Sequence, residues 1–428
     1  MKNESDSTPR QEIGRRSFLK FAGMAAAAVT ASGVLKPFGS VARADDTVEK
    51  ADLTLGFIPL TDCSPLVIAS EKGIYKKYGL NVRVKKMASW GATRDAIQKG
   101  EIDGAHILLG MIVGSSLGVG DVGAPVKKVP MCALQCLNVN GQAITIKKAM
   151  LDAGIKTPAD IKKSIVEKQG KYTFAMTFPP GTHAMWMRYW LASGGVHPDK
   201  DVKLITIPPP QMVANMKTGN MDGFCVGEPW GARAVDEGIG GTGITTQALW
   251  KNHPEKVLGV MESFAAANPK TCIALTAATL EACRWLDDMK NREEAAQLIG
   301  KTEYVNCKPE TILGRLQGKY IHAPGGTAVD DPDFMRFFER DTTAPYLSHA
   351  TWFMSQHRRW GMLNDKPDYL AEAKKIMRHD LYTEACKRAS VALPAGGLES
   401  RGKETLFDGV TFDPADPEAY MQAFALKA

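Results

Sequence analysis

Two periods of apolar and polar positions take turns along this chain. Residues 53–58 (LTLGFI) read as a short buried strand that runs into Pro59. After the loop Leu60-Thr61-Asp62-Cys63-Ser64, Pro65 suits the first turn of a helix that Gly73 ends. Residues 81–87 alternate as a second strand. Ala88-Ser89-Trp90-Gly91-Ala92-Thr93 opens a helix that stops at Gly100, and a third strand starts at Ile102. Such a βαβαβ run predicts parallel strands with helical crossovers. Ligands of open α/β sheets sit beyond the carboxyl ends of the strands, where Ser64, Trp90 and Gly91 fall.

The same grammar recurs. Strands are predicted at 142–146, 172–178, 202–207 and 221–226, with helices starting at Thr157-Pro158-Ala159-Asp160 and after Pro208-Pro209-Pro210. Pro179, Pro180 and Gly181 stop the 172–178 strand, and from Thr182 the period turns helical. Met185, Tyr189 and Ala192 share one face there, with Trp186 and Trp190 beside it. With Thr182 as N-cap, His183 lies in the first turn, where free N–H groups and the helix dipole favour an anion. Taken alone, the stretch fits an ordinary strand–loop–helix connection with a surface histidine at least as well. Two α/β runs joined near residue 142 predict two lobes with a cleft. Beyond about residue 260 the pattern is mostly helical, from Asn268-Pro269 through 293–299, a tail able to close over either lobe.

Charge and composition alter this picture mainly at the start. Gly14-Arg15-Arg16-Ser17-Phe18-Leu19-Lys20 is a twin-arginine signature, followed by an apolar run and by Ala42-Arg43-Ala44, which fits a cleavage site. Residues 1–44 are therefore predicted to be a removed export signal. They hold four of the chain's six net positive charges, so the remainder is near neutral and nucleic-acid binding finds no support. All eight cysteines lie beyond residue 44; Cys132 and Cys136 match neither a redox nor a zinc spacing, and buried free thiols are expected for most.

Several motifs carry a resemblance. These are Gly56-Phe57-Ile58-Pro59-Leu60-Thr61-Asp62-Cys63, Ala88-Ser89-Trp90, Asp103-Gly104-Ala105-His106-Ile107-Leu108, Asn140-Gly141-Gln142, Phe178-Pro179-Pro180-Gly181-Thr182-His183, Cys225-Val226-Gly227-Glu228-Pro229-Trp230 and His253-Pro254-Glu255-Lys256. In this order they resemble the solute-binding proteins of nitrate and bicarbonate ABC importers, over essentially the whole chain beyond residue 44. The resemblance implies a type II periplasmic binding fold, a C-clamp of two lobes. Each lobe would be a mostly parallel sheet flanked by helices, with a helical C-terminal part. The expected division is 1–44 signal, 45–141 first lobe, 142–260 second lobe, and 261–428 a return to the first lobe plus the helical region.

The resemblance also implies a ligand set: Trp90, Gly91, Gln142, His183 and Lys256 around nitrate or nitrite. Gln142 and Lys256 rest on it alone, and Lys256 is expected on the second lobe or its edge. All five offer donors to an ion that only accepts hydrogen bonds, and Lys256 supplies a full positive charge. Bicarbonate-binding relatives place a glutamate where this chain has Lys256 and use a calcium ion, so a cofactor is expected only for that alternative. Glu228 is expected to make a hinge or inter-lobe hydrogen bond, since a carboxylate repels an anion. The loop departs from the family's PGGTH in reading PPGTH. Implied partners are a membrane permease, the twin-arginine translocon during export, and no second copy of the chain. Competing readings are a bicarbonate-binding component, a nitrate-sensing regulator, which the export signal opposes, and a pyrimidine-forming enzyme of the same fold, which would want a cysteine-rich cleft. No Ser-His-Asp or metal-hydrolase motif is visible.

Overall fold

The computed structural model describes residues 47–168 and 170–428. The twin arginines Arg15 and Arg16 and the cleavage site near Ala44 lie outside the described residues.

Ten strands build two five-stranded sheets. In chain order they are β1 (Asp52–Phe57), β2 (Asn81–Lys86), β3 (Gly104–Leu108), β4 (Met131–Cys136), β5 (Gln142–Lys147), β6 (Thr173–Met176), β7 (Lys203–Thr206), β8 (Gly223–Gly227), β9 (Gly240–Thr245) and β10 (Lys256–Met261). The first sheet runs β2-β1-β3-β10-β4 and the second β9-β5-β8-β6-β7. Pairs β1/β2, β1/β3, β6/β7 and β6/β8 are parallel. In each sheet one strand is reversed: β10 is antiparallel to β3 and β4, and β5 to β8 and β9. These are the strands by which the chain enters each sheet from the other. The architecture is thus the expected two-lobed α/β arrangement of mostly parallel sheets.

That crossing corrects one expectation. The chain re-enters the first sheet at Lys256, before the expected return at 261, so Lys256 belongs to the first lobe and not to the second. Its register partner is Leu108, the last residue of β3. Gln142, the first residue of β5, pairs with Gly227, the last of β8. Because the crossing strands are reversed, both begin at the carboxyl ends of their parallel neighbours, the end where open sheets bind ligands.

One apolar core packs Leu53, Leu55 and Phe57 of β1 against the long helix Pro269–Asp287 and its neighbours. The other centres on tryptophans: the Trp186 ring lies 4.9 Å from Trp352 and 6.1 Å from Trp250. Trp352 belongs to the helix Leu347–Arg359, which packs on both the helix Leu109–Leu117 after β3 and the helix Thr182–Ser193 after β6. The tail therefore touches both lobes and does not choose between them. Two main-chain acceptors tie the lobes directly. Thr61 N–H donates to the Glu228 carbonyl at 2.7 Å, and Trp230 Nε1–H to the Pro59 carbonyl at 3.1 Å. Glu228 does make the inter-lobe bond, through its main chain. All eight cysteines are free thiols, seven of them buried.

Leu258 sits in the middle of β10 with no exposed surface. Leu258→Ala is expected to cost about 2–5 kcal/mol through the cavity it leaves. Urea unfolding should show a lower midpoint with an unchanged slope.

Candidate functional site

The helix Trp90–Gln98 begins where the sequence predicts, with the Ser89 hydroxyl accepting the Ala92 N–H at 3.2 Å. This places Trp90 and Gly91 in the first turn, whose N–H groups the helix's own carbonyls cannot reach. A Cβ on Gly91 would meet only Ser89 Oγ, at 4.0 Å, so the space beside it is open. Trp90 is fully buried, its ring 5.6 Å from His106 and 5.7 Å from the Lys256 ammonium, within cation–π range.

Across the cleft the helix Thr182–Ser193 begins one residue earlier than expected. Gly181 takes the cap position, and the Thr182 hydroxyl instead accepts the Gly110 N–H of the other lobe at 3.4 Å. His183 still falls in the first turn, and it is buried rather than on the surface. Its Nδ1 lies 2.5 Å from the Thr177 hydroxyl. With that hydroxyl donating, the neutral ring carries its proton on Nε2, the nitrogen 3.3 Å from Glu255 Oε1. Pro180, the departure from the family loop, packs against Gly114, and its carbonyl accepts from His357 Nε2 at 2.8 Å. The extra ring is thus absorbed by small neighbours without displacing the histidine from the cleft.

Lys256 is where sequence reasoning falls furthest short. A lysine on a proline-containing segment reads as a solvated surface residue, yet this one is fully buried. Its ammonium donates to Asp62 Oδ2 at 2.7 Å and to Glu255 Oε1. Asp62 Oδ1 in turn accepts from His106 Nε2 at 2.6 Å. Asp62 and Glu255 are the site residues the sequence did not single out. Both stand in the resemblance motifs, but nothing local marks a carboxylate as buried. Burial raises the Asp62 carboxyl, but Lys256 and His106 more than offset this and hold it well below the usual carboxylate range. Glu255 follows the same logic, with Lys256 the main opposing charge, and is also lowered. Burial opposes the charge on Lys256, while Asp62 and Glu255 leave its pKa raised.

Within this cluster several buried polar atoms have no hydrogen-bond partner from the protein: Trp90 Nε1, both amide atoms of Gln142, His183 Nε2 and Glu255 Oε2. Native interiors rarely leave such atoms unpaired. Three of them are donors, they come from both lobes, and they lie at the carboxyl ends of the parallel strands, as the Lys256 ammonium does. Donors so placed suit a small ion that only accepts hydrogen bonds. Calcium asks for a shell of oxygen ligands, whereas the two carboxylates here are engaged by the Lys256 ammonium, and no group of three or more His, Cys, Asp or Glu among the described residues could hold a metal.

The profile of the NMT1-like family matches residues 46–300. The chain belongs to the NMT1-like family. Among relatives, the nitrate/nitrite binding protein NrtA of Synechococcus elongatus is 41% identical over 97% of this chain and 99% of its own. The bicarbonate-binding protein CmpA of the same organism is 32% identical over the same shares of the two chains. The crystal structure of the periplasmic nitrate-binding protein NrtA from Synechocystis PCC 6803 superposes with a TM-score of 0.83. It is 42% identical, over 89% of this chain and all of the other. The periplasmic-binding-protein fold expected from the motifs is thereby confirmed, and family membership extends through the site.

Removing the cation tests the cluster's electrostatics. Lys256→Met strands two buried carboxylates and is expected to cost about 3–5 kcal/mol near neutral pH. Asp62 and Glu255 are held below their unfolded values, so the stability they contribute is present above about pH 4 and lost as pH falls through the folded values. Lys256 is raised, so its share is present below about pH 10 and lost as pH rises through its folded value. Unfolding at pH 7 and pH 3.5 should show the deficit of the variant shrinking at the lower pH.

Proposed function

We propose that this protein is the periplasmic substrate-binding component of an ABC importer, capturing nitrate, and nitrite with it, in the cleft and delivering it to a membrane permease. The observation that carries the reading is the set of buried donors without a protein partner, Trp90 Nε1, Gln142 Nε2 and His183 Nε2, at the carboxyl ends of the parallel strands, where the Lys256 ammonium is also buried. Gly91 adds a first-turn N–H. Nitrate is planar, weakly basic and proton-free, so each of its oxygens can accept from such donors. Bicarbonate carries one O–H, which would need an acceptor such as Gln142 Oε1 or Glu255 Oε2, whereas nitrate needs donors alone. The greater identity to NrtA than to CmpA supports the same choice.

Binding rather than catalysis is what the groups in the cleft favour. Burial raises the Cys63 and Cys225 thiols, so neither is a ready nucleophile, which also weighs against a pyrimidine-forming enzyme. Among the described residues no helix is long and apolar enough to cross a membrane. Location in the periplasm rests on the relatives and on the sequence of residues 1–44, read as a twin-arginine signal cleaved near Ala44.

Isothermal titration tests the ligand. An unpaired buried polar group costs about 1–3 kcal/mol, or about 5- to 150-fold in affinity. Lys256→Glu removes the cation and adds a repelling carboxylate, so nitrate affinity should fall by at least that range. Unchanged affinity would place Lys256 outside the site. Wild-type protein that binds bicarbonate in the presence of calcium, and not nitrate, would reverse the choice of ligand. Export is tested separately: with Arg15→Lys and Arg16→Lys together, full-length precursor should stay in the cytoplasm, and normal periplasmic accumulation would refute the signal.

A further inference from the structure

The charges inside the site do not balance for an anion. Asp62, Glu255 and Lys256 are all fully buried and set two carboxylates against one ammonium. The other titratable groups around them do not make up the deficit. His106 faces Asp62 from β3, His183 faces Glu255 from the second lobe, and His253 precedes Glu255 by two residues. Burial disfavours the charged form of all three imidazoles, outweighing the carboxylates near them. Cys225 on β8 is held as a thiol by burial. Further out, Glu228 lies 3.6 Å from the Arg315 guanidinium, and Arg401 is bonded to Glu404 at 2.5 Å, so each carboxylate there has its own cation. The centre therefore stands at one net negative charge near neutral pH. Nitrate, the conjugate base of a strong acid, brings a second negative charge and no proton.

We propose that Glu255 is a further ligand-binding group of this site, acting with His183 as a pair that holds one added proton, so that each nitrate bound takes up one proton from solvent. The inference rests on the nitrate reading above and deepens it. The geometry supplies a place for the proton. Glu255 comes from the first lobe and His183 from the second, and Glu255 Oε1 stands 3.3 Å from His183 Nε2 without the alignment of a hydrogen bond. Glu255 Oε2 has no partner from the protein. A proton on this pair turns the carboxylate with an unpartnered oxygen into a neutral donor, or makes the imidazole a cation paired with it. In both forms the charges balance: the net charge of one negative before binding is also the net charge after nitrate and proton have entered.

The test is titration of the exported chain with potassium nitrate at about pH 7.5 in phosphate, Hepes and Tris, whose ionisation enthalpies differ. The slope of apparent enthalpy against buffer ionisation enthalpy counts protons. We expect about one taken up per nitrate, with affinity falling up to about tenfold per unit of rising pH. Glu255→Gln removes one carboxylate charge, and its slope should drop towards zero with affinity nearly flat in pH. Nitrate binding by the wild type with no proton uptake overturns the inference and leaves the nitrate reading standing. A Glu255→Gln protein that keeps the wild-type slope also overturns it. Absence of nitrate binding in every buffer, and again at about pH 6, overturns the nitrate reading itself and this inference with it. Should Glu255→Gln not fold, the wild-type slope decides alone.

Discussion

Everything around the cleft depends on one buried ammonium. Lys256 holds Asp62 and Glu255 in a place where neither carboxylate would otherwise stay ionised, and Asp62 in turn fixes the ring of His106. An isolated buried charge is among the costliest things a fold can contain, so these groups hold one another in place. Trp90 packs against the same ammonium and His106, which orients its indole. The site is therefore one interlocked unit, in which the charge that favours an anion is also the charge that keeps the surrounding carboxylates buried.

Much of the fold was legible because its early strands and helices obey simple periods. β1, β2 and the helix capped by Ser89 announce themselves by apolar runs, alternation and a polar cap. Three strands escaped. β4 is buried at all six positions and so shows no alternation, and β9 is rich in glycine. β10 opens on a lysine, and a charged residue hides a strand start from any pattern that equates charge with loop. Missing β10 is what moved Lys256 to the wrong lobe in the sequence reading.

The five residues expected at the site divide in the same way. Trp90, Gly91 and His183 occupy helix starts after strands, a position local sequence can reveal. Gln142 and Lys256 lie at the starts of reversed strands, and their approach to the cleft is a property of how the chain crosses between sheets. Asp62 and Glu255 are set entirely by tertiary charge pairing. No window of sequence contains the partner that makes either of them a buried ion, except that Glu255 is next to Lys256 in the chain.

Two of the bonds that tie the lobes together have a different character from the groups in the cleft. Thr61 N–H to the Glu228 carbonyl, and the Trp230 indole to the Pro59 carbonyl, end on main-chain oxygens. Every residue type carries that oxygen, so the acceptors are indifferent to side-chain replacement. The groups proposed to choose the ion are all side chains, apart from the Gly91 N–H. The closing bonds thus call on few particular side chains, the Trp230 indole and the Thr182 hydroxyl among them. Side chains at strand and helix starts can therefore change while the main-chain acceptors of the clasp, the carbonyls of Glu228 and Pro59, stay as they are.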